Sequence, residues 1–226
     1  WASSRRGVAV EKMQHVYLGP GYSSEQVIAA CASHPGQPRW RRIEDVPTTV
    51  ANLLVAGNPV AWFQGRMEFG PRALGGRSIL GCPSSTGVAD RINAQIKFRE
   101  RWRPFCPSIL SRVAPQMFKV DHPAPFMTFT FEVNEEWKSR VPEVVHEDGT
   151  ARAQTLEPGL NEPYYRLLEE IEKRTGNAVL LNTSLNRRGE AMVCSPLDAL
   201  DMFFGSDLEY LVMEDILVVK GELREV

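Results

Sequence analysis

The four cysteines of this 226-residue sequence, Cys31, Cys82, Cys106 and Cys194, lie far apart and form no CxxC pair. Four histidines, His15, His34, His122 and His146, are equally scattered. That spacing lacks the paired ligands of a zinc site and the cysteine framework of a small secreted domain, so neither a structural metal nor disulfides are expected. No apolar run approaches the ~18 residues needed to span a bilayer, which predicts no transmembrane helix. No basic-then-apolar leader opens the sequence, and a reducing cytoplasm is the expected compartment. The net charge is only -2, which argues against a general nucleic-acid coat and leaves room for a local basic site. No internal repeat is found. Hydrophobic residues at 43% and charged residues at 24% exclude a disordered or membrane class.

What is present is concentrated between Gln64 and Leu80, where four glycines and three arginines sit between two apolar ends. Gly65, Gly70, Gly75 and Gly76 let the backbone approach a ligand or turn through positive φ, while Arg66, Arg72 and Arg77 offer planar forks of donors. Carboxylate or phosphate is the natural partner of such forks. From Arg66 to Arg112 there are nine Lys or Arg against three Asp or Glu, a basic patch inside a mildly acidic chain.

Along the chain, residues 1–12 read as a linker from a preceding region and 13–226 as one domain. Met13 to Leu18 reads as a strand. Ser23 or Ser24 caps a helix over Glu25 to Ala32, and His34 to Trp40 reads as a loop. A second helix follows Pro47 and ends at Gly57, with Val50, Leu53 and Leu54 as its buried stripe. Pro59 to Phe63 is a buried strand. A third helix spans Val88 to Arg101, with Val88, Ile92 and Ile96 on its core face and Asn93, Lys97 and Arg101 on an adjoining stripe. Pro104 stops it and places Arg103 on an extended segment. Phe126 to Val133 reads as a strand, Trp137 to Glu147 as loop, and Asp148-Gly149 as a turn just before Arg152. An amphipathic helix spans Glu162 to Thr175 with Gly176 as its stop. Ala178 to Leu181 is a short strand running into Asn182-Thr183-Ser184-Leu185-Asn186. Ser195 and Pro196 open a helix to Phe204, and strands over Leu208 to Met213 and Ile216 to Lys220 close the chain. Alternating strands and helices imply an α/β or α+β fold around a mixed sheet.

Four clusters can carry chemistry: GRMEFGPRALGGRS, KFRERWRP, DGTARAQT, and NTSLN after a buried strand. They supply Arg72, Lys97, Arg103 and Arg152 for anionic oxygens, with the hydroxyl of Ser184 and the amide of Asn186. Each has a plainer use. Arginines in a Gly-rich loop commonly pair with surface acids, with Glu68 the nearest for Arg66 and Arg77. Lys97, Arg99, Glu100 and Arg101 on a helix are by default solvated charges. Ser184 and Asn186 can simply cap a turn. Asn182-Thr183-Ser184 also matches a glycosylation sequon, set aside for want of a leader.

Taken in order, these motifs resemble the C-terminal, YrdC-like domain of the NodU/CmcH family of O-carbamoyltransferases. The resemblance runs from Val16-Tyr17-Leu18-Gly19-Pro20 through GRMEFGPRALGGRSIL, KFRERWRPFCPS, Pro125 to Met127, HEDGTARAQT, LNTSLN and GEAMV to about Val219. It departs at Gly76, where the family usually has asparagine, at Leu185 for phenylalanine, and at Ala191 for proline. The resemblance implies a twisted mixed β-sheet with flanking helices and a concave basic face. It implies formation of carbamoyl adenylate from ATP and carbamoyl phosphate, with Mg²⁺ on the triphosphate. A separate N-terminal domain of actin/hexokinase-like fold then moves the carbamoyl group to an acceptor hydroxyl. Carried over residue by residue, Arg72, Lys97 and Arg103 are the catalytic cations, and Arg152, Ser184 and Asn186 bind nucleotide and carbamoyl group. The alternative is a basic concave module that holds RNA without catalysis.

Overall fold

The computed structural model describes residues 13–98, 100, 103–119 and 122–221. The expected linker 1–12, and Arg99 and Arg101, lie outside the described residues. Helix α1 (Ser24–Ser33) begins in a capping box, the Ser23 hydroxyl taking the Gln26 N–H and the Gln26 side chain taking the Ser23 N–H. Strand β1 (Arg39–Arg42) follows, then α2 (Val46–Val55), capped by Asp45 on the Thr48 N–H with Pro47 in its first turn. Strands β2 (Val60–Phe63) and β3 (Arg77–Gly81) flank the glycine-arginine stretch. Helix α3 (Val88–Ile92), strand β4 (Cys106–Leu110) and the short α4 (Ala114–Met117) come next. A small outlying pair, β5 (Phe131–Glu132) and β6 (Thr150–Ala151), brackets α5 (Glu135–Arg140). The chain closes with β7 (Gln154–Leu156), α6 (Glu162–Thr175), β8 (Val179–Ser184), α7 (Pro196–Phe204), β9 (Tyr210–Met213) and β10 (Ile216–Val219).

Eight strands form one mixed sheet in the order β1-β10-β9-β2-β3-β8-β4-β7. Two of its pairings, β2 with β9 and β4 with β7, are parallel, and the rest are antiparallel. Every residue of β2, β4 and β10 is buried, which is why these segments read as apolar runs instead of alternating ones. Helix α6 buries Tyr164, Leu167, Leu168 and Ile171 and packs on α2, whose Val50, Leu53 and Leu54 face the core. The expected mixed α/β architecture with a large sheet and flanking helices is the one observed.

Several elements differ from the sequence expectation. Met13 to Leu18 forms no strand, although Val16 O still accepts the Phe69 N–H at 2.6 Å. The Phe126 to Val133 strand shrinks to β5, and the stretch read as loop holds α5 and a turn of 3₁₀ helix at Pro142–Val144. The third helix runs as α-helix only to Ile92 and widens into a π turn over Asn93–Lys97, closed by a bond of 2.7 Å from Phe98 N–H to Asn93 O. It then ends at Phe98, whose φ of 45° breaks the helix six residues before Pro104. Val88, Ile92 and Ile96 are nonetheless its buried face.

Candidate active site

The loop between β2 and β3 is held open by its own carboxylate. Glu68, 1% exposed, accepts three backbone N–H groups on Oε1, from Leu74 at 2.6 Å, Gly76 at 3.1 Å and Arg77 at 3.2 Å. A side chain on Gly76 would meet Glu68 Oε2 at 2.5 Å, so the glycine there leaves space for this carboxylate. Gly75, at φ 97°, lies so close to the Tyr164 ring that a Cβ would meet it at 2.1 Å. Arg66 and Arg77 form no ion pair with Glu68 among the described residues and instead grip carbonyls. Arg66 holds Leu18 and Gly19. Arg77, fully buried over the Phe63 ring, donates to Gln64, Gly65, Gly76 and Pro20. Burial pulls the Arg77 guanidinium below its ordinary pKa, and the charges of Glu68 and Glu214 oppose that. These two arginines shape the loop, leaving Arg72 as the one whose guanidinium makes no hydrogen bond or ion pair among the described residues.

The floor beneath Arg72 is a polar stripe on one face of the sheet. Register places Ser78 opposite Ser184, Cys106 opposite Asn182, and Ser108 opposite Gln154. Because alternate residues of a strand share a face, all six side chains lie on the same side. Three of these side chains and two loop carbonyls form a chain of hydrogen bonds. Gln154 Nε2 donates to Leu74 O at 2.9 Å, Ser108 Oγ donates to Gln154 Oε1 at 2.7 Å, and Asn182 Nδ2 donates to Ser108 Oγ at 3.0 Å and Ala73 O at 3.1 Å. The stripe thereby fixes the two carbonyls that follow Arg72.

A cavity of about 100 Å³ opens over this stripe, lined by Arg72, Cys106, Met127, Arg152, Asn182, Thr183 and Ser184 among others. Its lining holds two guanidiniums and no carboxylate. Arg152 donates to Cys106 Sγ at 3.0 Å, and its buried Nε has no partner. Burial, together with the charge of Arg152, depresses the pKa of Arg72. Two cations held together without an acid form a site complementary to anionic oxygens.

Lys97 meets this cavity through Ser184. Its ammonium, on a side chain 6% exposed, lies 2.6 Å from Ser184 O, 3.3 Å from Ser184 Oγ, 2.9 Å from Asn186 O and 2.6 Å from Asn186 Oδ1. The Ser184 hydroxyl in turn donates to Asn186 Oδ1 at 2.7 Å. The π turn carries Lys97 inward to the end of β8, a local widening of the kind that helices often show at functional positions. Arg103 stands on the far side of Pro104 and Phe105, in an adjoining cavity of about 190 Å³ that it shares with Asp90, Glu143, His146 and Glu147. Burial lowers the pKa of His146, Asp148 opposing and Arg152 adding to the effect.

Of the residues singled out in the sequence, Arg72, Arg152 and Ser184 therefore share one cavity, Lys97 and Asn186 adjoin it through Ser184, and Arg103 lines its neighbour. Sequence reasoning passed over Asn182, Ser108, Gln154 and Cys106. Their one signal is a polar or thiol side chain at alternate positions of otherwise apolar strands. Among the described residues no three His, Cys, Asp or Glu side chains converge as a metal site, and no helix is long and apolar enough to cross a membrane. All four cysteines are free thiols.

Fold and site together define a mixed α/β domain with a small, cation-lined cavity over β8 and β4, toward one edge of its sheet. The model of the carbamoyltransferase C-terminus matches residues 51–220, and the chain belongs to that family, as the C-terminal carbamoyltransferase domain of NodU-type proteins. It is 40% identical over 214 residues to nodulation protein NolNO of Sinorhizobium fredii and 39% identical over 214 residues to nodulation protein NolO of Bradyrhizobium diazoefficiens, each match covering 93% of the chain. An alignment of 40% identity with nodulation protein U of Rhizobium tropici covers 77% of the chain. These matches cover 32%, 39% and 28% of the relatives, so the chain spans about a third of their length. Among solved structures, full-length HypF, crystallised in a phosphate- and nucleotide-bound form, superposes with a TM-score of 0.51 at 15% identity. That match covers 81% of this chain and 22% of HypF and shows a shared fold.

Proposed function

We propose that this domain forms carbamoyl adenylate from ATP and carbamoyl phosphate, for transfer to an acceptor hydroxyl by an N-terminal, actin/hexokinase-like part of the full-length protein. The observation that carries this reading is the pairing of Arg72 and Arg152 over Ser184 in a cavity without a carboxylate. Water displaces carbamate from carbamoyl phosphate, releasing inorganic phosphate. A carbamate oxygen then bonds to the α-phosphorus of ATP as the bond to the β-phosphate breaks, and pyrophosphate leaves. Two anions must meet in that step, which is unfavourable until fixed cations neutralise both. Arg72 and Arg152 supply that charge at the cavity, Lys97 orients Ser184 and Asn186 beside it, and Arg103 in the adjoining cavity reaches the outer phosphates. Mg²⁺ arrives as part of the nucleotide substrate, its ligands being phosphate oxygens. The proton given up by the water leaves with the released phosphate, and the adenylation step itself needs no general base, because carbamate is already ionised. Ser184 serves as a hydrogen-bond donor once a ligand draws its proton away from Asn186 Oδ1, which Lys97 continues to hold, and no histidine among the described residues hydrogen-bonds it as an activating base.

The test is pyrophosphate release from ATP by the full-length protein. Release should require carbamoyl phosphate and should fall by about 100-fold or more when Arg72 and Arg152 are both changed to Ala, the scale of losing charge stabilisation in a transition state. Release that is independent of carbamoyl phosphate, or undiminished in the double variant, would overturn the reading.

A further inference from the structure

Residues 16–20, which lead into α1, form no strand and are laced instead to residues 66–69 of the loop that carries Arg72. Gly19 N–H donates to Met67 O and Met67 N–H to Pro20 O, each at 2.9 Å, while Arg66 and Arg77 hold the carbonyls of Leu18, Gly19 and Pro20. The two stretches run so close that a Cβ on Gly19 would meet that of Met67 at 2.8 Å. Tyr17 extends this strap to the site. Its hydroxyl donates to Leu74 O at 2.7 Å, the carbonyl that also takes Gln154 Nε2 at 2.9 Å, and Leu74 N–H is held by Glu68. Both backbone polar groups of Leu74, two residues beyond Arg72, are thus fixed by side chains from three separate parts of the chain. Burial pushes the Tyr17 phenol up to about 12, so the hydroxyl keeps its proton and remains a donor at neutral pH. The Tyr17 side chain also packs on a small apolar cluster of Leu74, Cys106 and Met127, separate from the main core, and Cys106 and Met127 line the cavity with Arg72.

We propose that Tyr17 is a positioning residue of the site, its hydroxyl fixing the Leu74 carbonyl and, through it, the backbone from which Arg72 reaches the cavity. This rests on the reading of Arg72 as a cation for substrate phosphate, and it makes the segment that enters the domain part of the site's framework. The Arg72 guanidinium makes no hydrogen bond or ion pair among the described residues, so its place is set by its backbone. Side-chain reach amplifies a small backbone shift, and a misplacement of about 1 Å is costly where charge must meet charge. Tyr17→Phe isolates the hydroxyl. It keeps the ring on its cluster, and the Leu74 carbonyl keeps its bond from Gln154, so no buried acceptor is left bare.

The experiment is a double-mutant cycle in the full-length protein, read as calorimetric affinity for a non-hydrolysable ATP analogue. Tyr17→Phe should weaken binding by about tenfold, the scale of coupling between groups that act as a unit, and should lower Tm by no more than about 4 °C, that of one hydrogen bond. In the Arg72→Ala background the same change should cost less than about twofold, because no guanidinium is left to place. An equal factor in both backgrounds would show that the hydroxyl serves the fold and not Arg72. Undiminished affinity in Tyr17→Phe overturns the assignment outright, and a wild type that does not bind the analogue overturns it together with the reading of Arg72. Pyrophosphate release from the same proteins keeps the carbamoyl reading apart. Release that is independent of carbamoyl phosphate, with the cycle as expected, removes that reading and leaves the placement of Arg72 by Tyr17 standing.

Discussion

The Lys97 ammonium meets three acceptors of the turn after β8 within 3.0 Å, Ser184 O, Asn186 O and Asn186 Oδ1. No other described side chain donates to the Ser184 and Asn186 carbonyls. A buried ammonium is tolerable only when its protons are taken up in this way. Ser184 O also takes the Asn186 N–H and Asn186 Oδ1 the Ser184 hydroxyl, so Lys97→Met should strand the Asn186 carbonyl and destabilise the protein by about 1–3 kcal/mol, the scale of a buried acceptor left without its donor. Urea denaturation would measure it as a lowered midpoint. Lys97→Arg should not restore stability, because a planar fork cannot converge on acceptors arranged around one point. A midpoint unchanged in Lys97→Met would show that the turn holds itself. The types of residue needed here were legible in the sequence: arginines in a glycine-rich stretch, a lysine on a helix, a serine and an asparagine after a strand. Asn182 was not legible, because one polar residue in a buried strand acquires meaning only when register sets it against Cys106 and within reach of Ser108 and Gln154. Arg77 misled in the opposite sense. It looked like a ligand-binding or surface arginine and is fully buried on carbonyls.

At the level of elements, α6 is the most fully read from sequence, since its amphipathic period and its Gly176 stop lie within one window, although its Asn161 cap was not singled out. Its outer face also carries a pH-dependent tie to α2. Glu170 sits 2.5 Å from Lys173 and 2.5 Å from Arg174, and Arg174 donates to Asn52 of α2 at 2.9 Å. Hydrogen bonds from Lys173 and Arg174 hold the Glu170 carboxyl down at about 2. The folded state thus binds the proton less readily than the unfolded state. The resulting stability is present above the ordinary carboxylate value and is lost as pH falls through about 2. The urea midpoint should drop as pH is lowered from 5 toward 2, and Glu170→Gln should flatten that drop. Added salt should weaken the effect, because the cluster lies at the surface. A slope identical in the variant would assign the acid sensitivity elsewhere. Elements that escaped sequence reading did so for identifiable reasons. Strand β3 opens on Arg77 and Ser78 directly after two glycines, so its first half has the composition of a loop. The π turn at Asn93–Lys97 is set by where the end of β8 draws the Lys97 side chain, a tertiary cause with no local signal. Helix α5 buries Trp137 alone among its six residues, too little apolar content to show a period.

Across the whole molecule, one eight-stranded sheet carries the arginine-rich β1 at one edge, apolar β10, β9 and β2 beside it, and a polar stripe shared by β3, β8, β4 and β7 toward the other edge. Loops from three separate stretches, around Arg72, Arg103 and Arg152, converge above that stripe, so the site is a property of the topology and forms only when the sheet is complete. This arrangement separates the two readings of the basic residues. An RNA surface would spread its cations over many phosphates and lose affinity steeply with salt. A cavity of about 100 Å³ with two arginines on its wall instead suits one small anionic head, and the net charge of -2 opposes a polyanion elsewhere. Ligand that binds only the folded state at a hundredfold excess over its Kd stabilises by about 2.7 kcal/mol. For a protein of this size each kcal/mol moves Tm by about 2–4 °C. A non-hydrolysable ATP analogue at that excess should therefore raise Tm by about 5–10 °C. Single-stranded RNA at equal phosphate concentration should leave Tm where it was, and the ATP effect should be largely lost in the Arg72→Ala, Arg152→Ala double variant. If RNA raises Tm and the analogue does not, the cations form an extended surface, and the cavity is not the place where the phosphates sit.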